Sequence, residues 1–198
     1  QKDYGALLKT TGGKERITRY VTEIGGDISV AEVAVLHAFK SQHYVALMAA
    51  GEIALRPGIA DLMAEARASG VRMAVATTTS LPNVEALSRA VFGKSADQVF
   101  EVIVGGDMVS AKKPAPDVYL LALHQLGLTA RQAVALEDSR NGLRSAKAAA
   151  LSCVVSPGIY TLDEDFGAAD RIVGCFTDLG GLKGLQDMAR GKAAKWRL

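Results

Sequence analysis

The sequence predicts an α/β fold in which helices cover both faces of a parallel β-sheet. From Pro57 onward, short apolar runs alternate with segments of helical period, and this alternation is typical of βαβ units. The runs are apolar throughout, as expected of strands that are buried on both faces. The chain has 198 residues, of which 49% are hydrophobic and 22% charged, so it fits one globular domain or one domain with a small insert.

The order of the elements follows from the same pattern. Composition and period divide the chain near residues 55–58, and before this point helical spacing predicts one amphipathic helix over 29–49 and no strong strand. After it, helices are predicted at 57–70, 84–91, 116–127 and 142–149. Strands are predicted at 71–76, 99–104, 133–136 and 153–155, with a weaker one at 171–173.

The bulk properties argue against two classes of partner. A net charge of +2 is too small to suggest a nucleic-acid or membrane surface, and no apolar run is long enough to span a bilayer. The residues that follow Gln1 do not resemble a signal peptide. Cys153 lies in an apolar run and is interpreted as a buried free thiol, which favours a reducing compartment. We expect a monomeric, cytoplasmic protein that binds a small molecule, without nucleic-acid or membrane partners.

Polar residues lie where the predicted strands end, which is the edge at which parallel sheets bind ligands. Thr77 and Thr78 follow the strand at 71–76, and their hydroxyl and amide groups beside the start of a helix could hold a phosphate. Ordinary turn and capping chemistry is the alternative. Lys113 precedes Pro114, which favours an extended backbone and could aim the ammonium into a cleft, although a surface lysine is the alternative.

The acidic pair Glu137 and Asp138 is the strongest local signal. Two acids directly after a buried strand are costly unless a cation neutralises them, and their oxygen atoms suit Mg²⁺. The alternative is that Asp138 or Ser139 caps the helix that follows.

Cations nearer the N-terminus could hold a second anionic group. Lys14 and Arg16 lie beside a Gly-Gly pair, and Lys40 shares one face of the predicted helix with His37 and Tyr44. A solvated helix face is the alternative for Lys40. The three histidines of the chain show no metal-binding spacing.

Taken in this order, these motifs resemble those of the haloacid-dehalogenase superfamily of phosphohydrolases. The family's second motif matches residues 75–78, its third matches Lys113-Pro114, and its fourth matches Glu137-Asp138-Ser139. The segments at 9–17 and 54–58 resemble the CbbY-like sugar-phosphate phosphatases, which are close to β-phosphoglucomutase. The resemblance extends from about Tyr4 to about Gly181.

The resemblance implies a Rossmann-like core over 54–198 and the remainder of a helical cap over 1–53. It also implies that an aspartate on the first strand attacks the phosphorus, with Mg²⁺ bridging nucleophile and phosphate. Carried over to this chain, the resemblance implies that Thr77 and the Thr78 backbone bind the phosphoryl group and that Lys113 neutralises charge. It implies that Asp138 binds Mg²⁺ directly and that Glu137 binds it directly or through water. Substrate binding from the cap falls to Lys14, Arg16 and Lys40.

Two departures from the family pattern stand out. The Asp-x-Asp-Gly-Thr motif of the first strand is absent from these residues, so we expect a truncated chain that is inactive as given. Ala150 stands where the family usually has glycine after a helix. If this position requires a positive φ, alanine costs on the order of 1 kcal/mol.

Three functions remain open on the sequence. The first is a Mg²⁺-dependent phosphatase of a small sugar bisphosphate, with xylulose 1,5-bisphosphate as the implied substrate. The second is a phosphomutase of the β-phosphoglucomutase type, which would convert β-glucose 1-phosphate to glucose 6-phosphate. The third is a non-catalytic remnant or binding module that lacks the nucleophilic aspartate.

Overall fold

The computed structural model describes residues 5, 7–51 and 53–194, without the side chains of residues 49 and 188–194. The helices are α1 (Gly13–Glu23), α2 (Val30–Ala49), α3 (Ile59–Ala68), α4 (Leu81–Phe92), α5 (Ala96–Val99), α6 (Asp117–Leu126), α7 (Arg140–Ala148) and α8 (Gly181–Ala194). The strands are β1 (Ala74–Ala76), β2 (Val102–Val104), β3 (Val134–Glu137), β4 (Ser152–Val155) and β5 (Arg171–Ile172). Two 3-10 turns lie at Ala130–Gln132 and Phe176–Leu179. A search of these residues finds no helix with the length and apolar character needed to cross a membrane.

The strands form two parallel sheets. In one, β1 pairs with β2, and Ala74 lies opposite Val102. In the other, β4 lies between β3 and β5, with Glu137 opposite Val155. Every pairing among the described strands is parallel, which confirms the predicted sheet type.

Strand β4 shows directly that helices cover both faces of the sheet. Cys153 and Val155 are fully buried in a hydrophobic cluster with residues of α6 and α7. The intervening Val154 is also fully buried, in a second cluster that includes Leu62 of α3 and Leu182 of α8. Alternate side chains of a strand point to opposite faces, so β4 is covered on both, and the predicted Rossmann-like architecture is confirmed.

The larger cluster also joins the two sheets. It contains Val102 and Val104 of β2 together with Ala135 of β3, and Val118 of α6 lies fully buried among them. Helix α6 contacts β1, β2 and α7. The two sheets therefore share one core, and their carboxyl ends are held in a common arrangement.

Helices α1 and α2 contact each other, and α2 also contacts α4. Helix α2 begins as predicted, with a capping box in which Ser29 and Glu32 exchange hydrogen bonds. Neither hydrophobic cluster, as far as its members are described, includes a residue of α1 or α2. The division of the chain near residue 53 stays a prediction, and residues 1–4, 6, 52 and 195–198 of the two predicted domains lie outside those described.

Two strands are shorter than predicted because the residues predicted to begin each strand are instead part of the end of the preceding helix. The amide of Val71 donates to the carbonyl of Ala66 (2.8 Å) and closes α3, so β1 begins only at Ala74. Val99 ends α5, which has its own capping box at Ser95, so β2 begins only at Val102. Helix α1 was not predicted. It begins at Gly13, in the segment where the sequence analysis noted only a Gly-Gly pair beside two cations.

Candidate active site

The predicted phosphate-binding threonines lie in the turn between β1 and α4. The amide of Thr77 donates to the carbonyl of Val104 (2.9 Å), which continues the pairing of β1 with β2. The Thr77 hydroxyl accepts a hydrogen bond from the amide of Thr79 (3.2 Å). The turn chemistry considered as an alternative is therefore present at Thr77. Ser80 is the N-cap of α4 by position, but its side chain makes no capping hydrogen bond.

This turn is packed tightly against the loop that follows β2. The amide of Gly106 donates to the carbonyl of Thr79 (2.8 Å). A Cβ atom on Gly106 would lie only 2.3 Å from the carbonyl oxygen of Thr78. Only glycine allows so close an approach, so the backbone at Thr78 is held in place by the neighbouring loop.

Lys113 is directed inward, as predicted from its place before Pro114. Its ammonium lies 2.5 Å from Oε1 of Glu137, and the two side chains are only 12% and 7% exposed. The ammonium also lies 4.7 Å from the centroid of the Tyr119 ring. The surface-lysine alternative is therefore wrong, and the structure brings together the family's third and fourth motifs.

Glu137 is the last residue of β3, and its carboxylate is held on several sides. The Tyr119 hydroxyl donates to the same Oε1 that accepts from Lys113. A Cβ atom on Gly142, in the first turn of α7, would lie 1.8 Å from Oε2. Burial, followed by the charge of Glu137, raises the pKa of Tyr119 well above its ordinary value, so Tyr119 remains a hydrogen-bond donor.

Asp138 differs from its neighbour in being exposed. Its backbone carbonyl accepts from the hydroxyl of Thr161 (2.5 Å). The next residue, Ser139, caps α7 by accepting from the amide of Gly142 (3.2 Å). Because Ser139 supplies the cap, the Asp138 carboxylate is left facing solvent beside the buried Glu137.

The donor set of this acidic pair fits Mg²⁺, which binds one or two carboxylates and fills its remaining positions with water and substrate phosphate. Within the described part of the chain, no group of three or more His, Cys, Asp and Glu side chains forms a metal-binding cluster. Glu137 and Asp138 could therefore supply two carboxylate ligands of a site that a phosphate and water complete.

The three cations predicted to bind substrate from the cap lie close to one another. Burial, and then the charge of Arg16, lowers the pKa of Lys40, whose ammonium lies 5.5 Å from the Tyr44 ring centroid. Burial, and then the charges of Lys40 and Lys14, lowers the pKa of His37. Lys14 and Lys40 thus place positive charge beside His37, and Arg16 places it beside Lys40, an arrangement that would favour a bound anion.

Two polar contacts join this cationic group to the sheet edge, and the sequence analysis assigned neither. Glu15 of α1 pairs with Lys112 at 2.6 Å, next to Lys113. The side-chain amide of Asn141, in α7, donates to the Thr11 hydroxyl (2.9 Å) and to the Lys9 carbonyl (3.1 Å). Tyr119 was also missed, because only the fold brings its hydroxyl to Glu137.

A family model described as haloacid dehalogenase-like hydrolase matches residues 2–150. The CbbY protein of Cereibacter sphaeroides is 59% identical over 185 residues, a match that covers 93% of this chain and 80% of that protein. The CbbY protein of Rhodobacter capsulatus is 52% identical over 170 residues, covering 86% of this chain and 75% of the relative.

Solved structures agree with this similarity. A CbbY mutant from Rhodobacter sphaeroides in complex with xylulose 1,5-bisphosphate superposes with a TM-score of 0.90 at 59% identity, covering 93% of this chain and 82% of that one. A β-phosphoglucomutase from Clostridium difficile superposes with a TM-score of 0.78 at 20% identity, covering 94% of this chain and 81% of that one. The second likeness concerns the fold alone.

Proposed function

Because the chain belongs to the haloacid dehalogenase-like hydrolase family, we propose that it carries the site of a Mg²⁺-dependent phosphatase of xylulose 1,5-bisphosphate. The observation that carries this proposal is the 59% identity with CbbY, together with the CbbY structure that holds this bisphosphate. The free thiols of Cys153 and Cys175 suit the cytoplasm that we propose for it.

Binding of the transferring phosphoryl group is assigned to the turn after β1 and to Lys113. The Thr77 hydroxyl and the backbone of Thr78 lie at the start of α4, whose N-terminal amides favour an anion. A lysine ammonium has three donors, and Glu137 occupies one of those on Lys113. The others remain for a phosphate oxygen, so Lys113 can neutralise the substrate while it stays beside the acidic pair.

Glu137 and Asp138 are assigned to the metal. The buried Glu137 is oriented by its neighbours, and the exposed Asp138 is open to an ion and its waters. When bound, Mg²⁺ would neutralise negative charge on the phosphoryl group. Phosphoryl transfer depends mainly on positioning and charge neutralisation, which is the work that these two side chains and Lys113 would do.

The second phosphate of the substrate is assigned to Lys14, Arg16 and Lys40. These cations lie together on α1 and α2, and Glu15 links α1 to Lys112 of the core (2.6 Å). A bisphosphate could therefore be held at both ends, with one phosphate at the sheet edge and the other at the cap.

The proposed chemistry passes through an aspartyl phosphate. An aspartate oxygen would bond to phosphorus as the bond from phosphorus to the sugar oxygen breaks, and a second aspartate, two residues later, would give its proton to the leaving sugar oxygen. That second aspartate would then take a proton from water, whose oxygen would bond to phosphorus as the aspartyl–phosphate bond breaks and inorganic phosphate leaves. The 198 residues contain no Asp-x-Asp-Gly-Thr sequence. The test therefore compares this chain with the same chain extended at its N-terminus by the corresponding segment of the Cereibacter sphaeroides relative.

Phosphate release from xylulose 1,5-bisphosphate is measured for both proteins with Mg²⁺ and with EDTA. The extended protein is expected to release phosphate only with Mg²⁺, and its Lys113→Ala and Asp138→Asn variants are expected to be inactive. Release no faster than from the Lys113→Ala variant would refute the proposal. Phosphate release by the 198 residues alone that depends on Asp138 would refute the aspartyl-phosphate route.

A further inference from the structure

We propose that Tyr119 is the positioning residue of this site, because its hydroxyl orients Glu137 while its ring orients Lys113. The inference rests on the proposed function, in which Glu137 holds the metal and Lys113 faces the phosphate. No motif of the sequence marks Tyr119, and its role follows from two contacts of one side chain.

The first contact places the Glu137 carboxylate. Oε1 accepts from both Tyr119 and Lys113, whereas Oε2 lies against the first turn of α7 at Gly142. Two donors on one oxygen prevent the carboxylate from rotating about its last bond without breaking both hydrogen bonds. Among the described residues, Oε2 accepts no hydrogen bond, so we assign it to the cation, and its direction is set by the two hydrogen bonds on Oε1.

The second contact places the Lys113 ammonium, which lies 4.7 Å from the Tyr119 ring centroid. A cation this close to an aromatic face is attracted by the ring, and the attraction is stronger where water is excluded. Lysine has a long flexible side chain that gains little order from a single ion pair. The ring and Glu137 together confine the ammonium, so Lys113 points at one place beside the acidic pair.

Tyr119 itself is firmly held. It lies in the first turn of α6, is 9% exposed, and belongs to the hydrophobic cluster that joins the two sheets. Its backbone amide donates to the Pro116 carbonyl (2.9 Å). Packing in the core of the protein therefore fixes the position of the hydroxyl, and the contacts of Tyr119 in turn fix the side chains of Glu137 and Lys113.

The first test uses the metal-free chain and two substitutions at one position. Tyr119→Phe removes the hydroxyl and keeps the ring, and Tyr119→Leu removes both. NMR follows the ¹³C signal of the Glu137 carboxyl and the exchange of the Lys113 ammonium protons with water. The Phe variant is expected to move the Glu137 signal, and the Leu variant to accelerate exchange at Lys113 as well. The control, Leu123→Ala in the same helix and cluster, is expected to change neither signal.

The second test measures Mn²⁺ binding in the presence of inorganic phosphate by electron paramagnetic resonance. Loss of a group that orients a metal ligand typically weakens affinity about 10-fold, and we expect this loss for Tyr119→Phe. Leu123→Ala should lower stability without changing the affinity. Equal affinity in wild type and Tyr119→Phe, with unchanged NMR signals, would overturn the proposal. A wild-type chain that binds no Mn²⁺ would count against the proposed metal site, and the NMR comparison would then decide the role of Tyr119 by itself.

Discussion

At the scale of single residues, the buried pair of Lys113 and Glu137 dominates the site. Both side chains lie largely out of water, in contrast to the Lys112–Glu15 pair, whose side chains are 33% and 48% exposed. Exposed pairs contribute little to stability, whereas a buried charge that loses its partner is costly. The adjacent lysines of one loop therefore have different energetic roles.

Replacing Lys113 with methionine should leave Glu137 buried with Tyr119 as its remaining donor. We expect the free energy of unfolding at neutral pH to fall by about 3 kcal/mol, as is typical when one partner of a buried ion pair is removed. The measurement is urea denaturation followed by circular dichroism.

The matched control for this prediction is Lys112→Met, which should cost no more than about 1 kcal/mol. Equal effects of the two substitutions would show that the burial of Lys113 has no energetic consequence.

At the scale of elements, helix α7 ends in a Schellman motif with an alanine in the left-handed position. The amide of Leu151 donates to the carbonyl of Ala146 (3.0 Å), and the amide of Ala150 donates to that of Lys147 (3.0 Å). Ala150 has a φ of 60°, the one positive value found at a residue other than glycine in the part of the chain that the structure describes. The conditional expectation from the sequence, that this position requires a positive φ, is confirmed.

Glycine at position 150 should therefore stabilise the protein. Ala150→Gly is expected to raise the free energy of unfolding by about 1 kcal/mol, since glycine adopts the left-handed conformation without a steric penalty. The control is Ala64→Gly in the exposed interior of α3, which should lower it by about 1 kcal/mol. Thermal unfolding of both variants checks the prediction, and two changes of the same sign would contradict it.

At the scale of the whole molecule, helices α1 and α2 meet the rest of the chain around charged groups. Cations surround His37 from three places, with Lys14 on α1, Lys40 on α2 and Lys112 in the loop before α6, and Glu15 opposes them. Burial and these cations lower the pKa of His37 below its ordinary value of 6.5. The pKa of His37 therefore depends on the charges at the junction between helices α1 and α2 and the rest of the chain.

A bisphosphate bound at this junction should raise the pKa of His37, because its negative charge offsets that of the lysines. Without ligand, the neutral imidazole is favoured in the folded protein. Its stabilising contribution is present above pH 6.5 and is lost as the pH falls from there through the lowered folded value. The measurement is an NMR titration of the His37 ring with and without xylulose 1,5-bisphosphate.

The double variant Lys14→Gln, Lys40→Gln is the control for this titration. It should raise the pKa of His37 in the absence of ligand and weaken the response to the bisphosphate. If saturating bisphosphate leaves the His37 titration of the unaltered chain unchanged, the assignment of the second phosphate to the cap is refuted.

Local patterns were sufficient to predict most of the fold. The helical spacing over 29–49, Pro116 with Gly127, and the apolar run at Cys153 each predict an element from local sequence, and each element is present. The starts of β1 and β2 could not be predicted in the same way. Valine favours strands, so Val71 and Val99 were predicted as strand residues. In the structure, the amide of Val71 instead donates to a carbonyl of α3, and Val99 is the last residue of α5.

By itself, the sequence determined the α/β class, the parallel sheet covered on both faces, and the order of the motifs at Thr77, Lys113 and Glu137. These features depend on the spacing of apolar residues and on residues that are adjacent in the chain, and both can be read directly from the sequence. Only the tertiary structure decided that Lys113 pairs with Glu137, that Tyr119 holds both, and that Asn141 reaches Thr11. Such contacts join residues far apart in the chain, and the packing of α6 and α7 against the strands sets them.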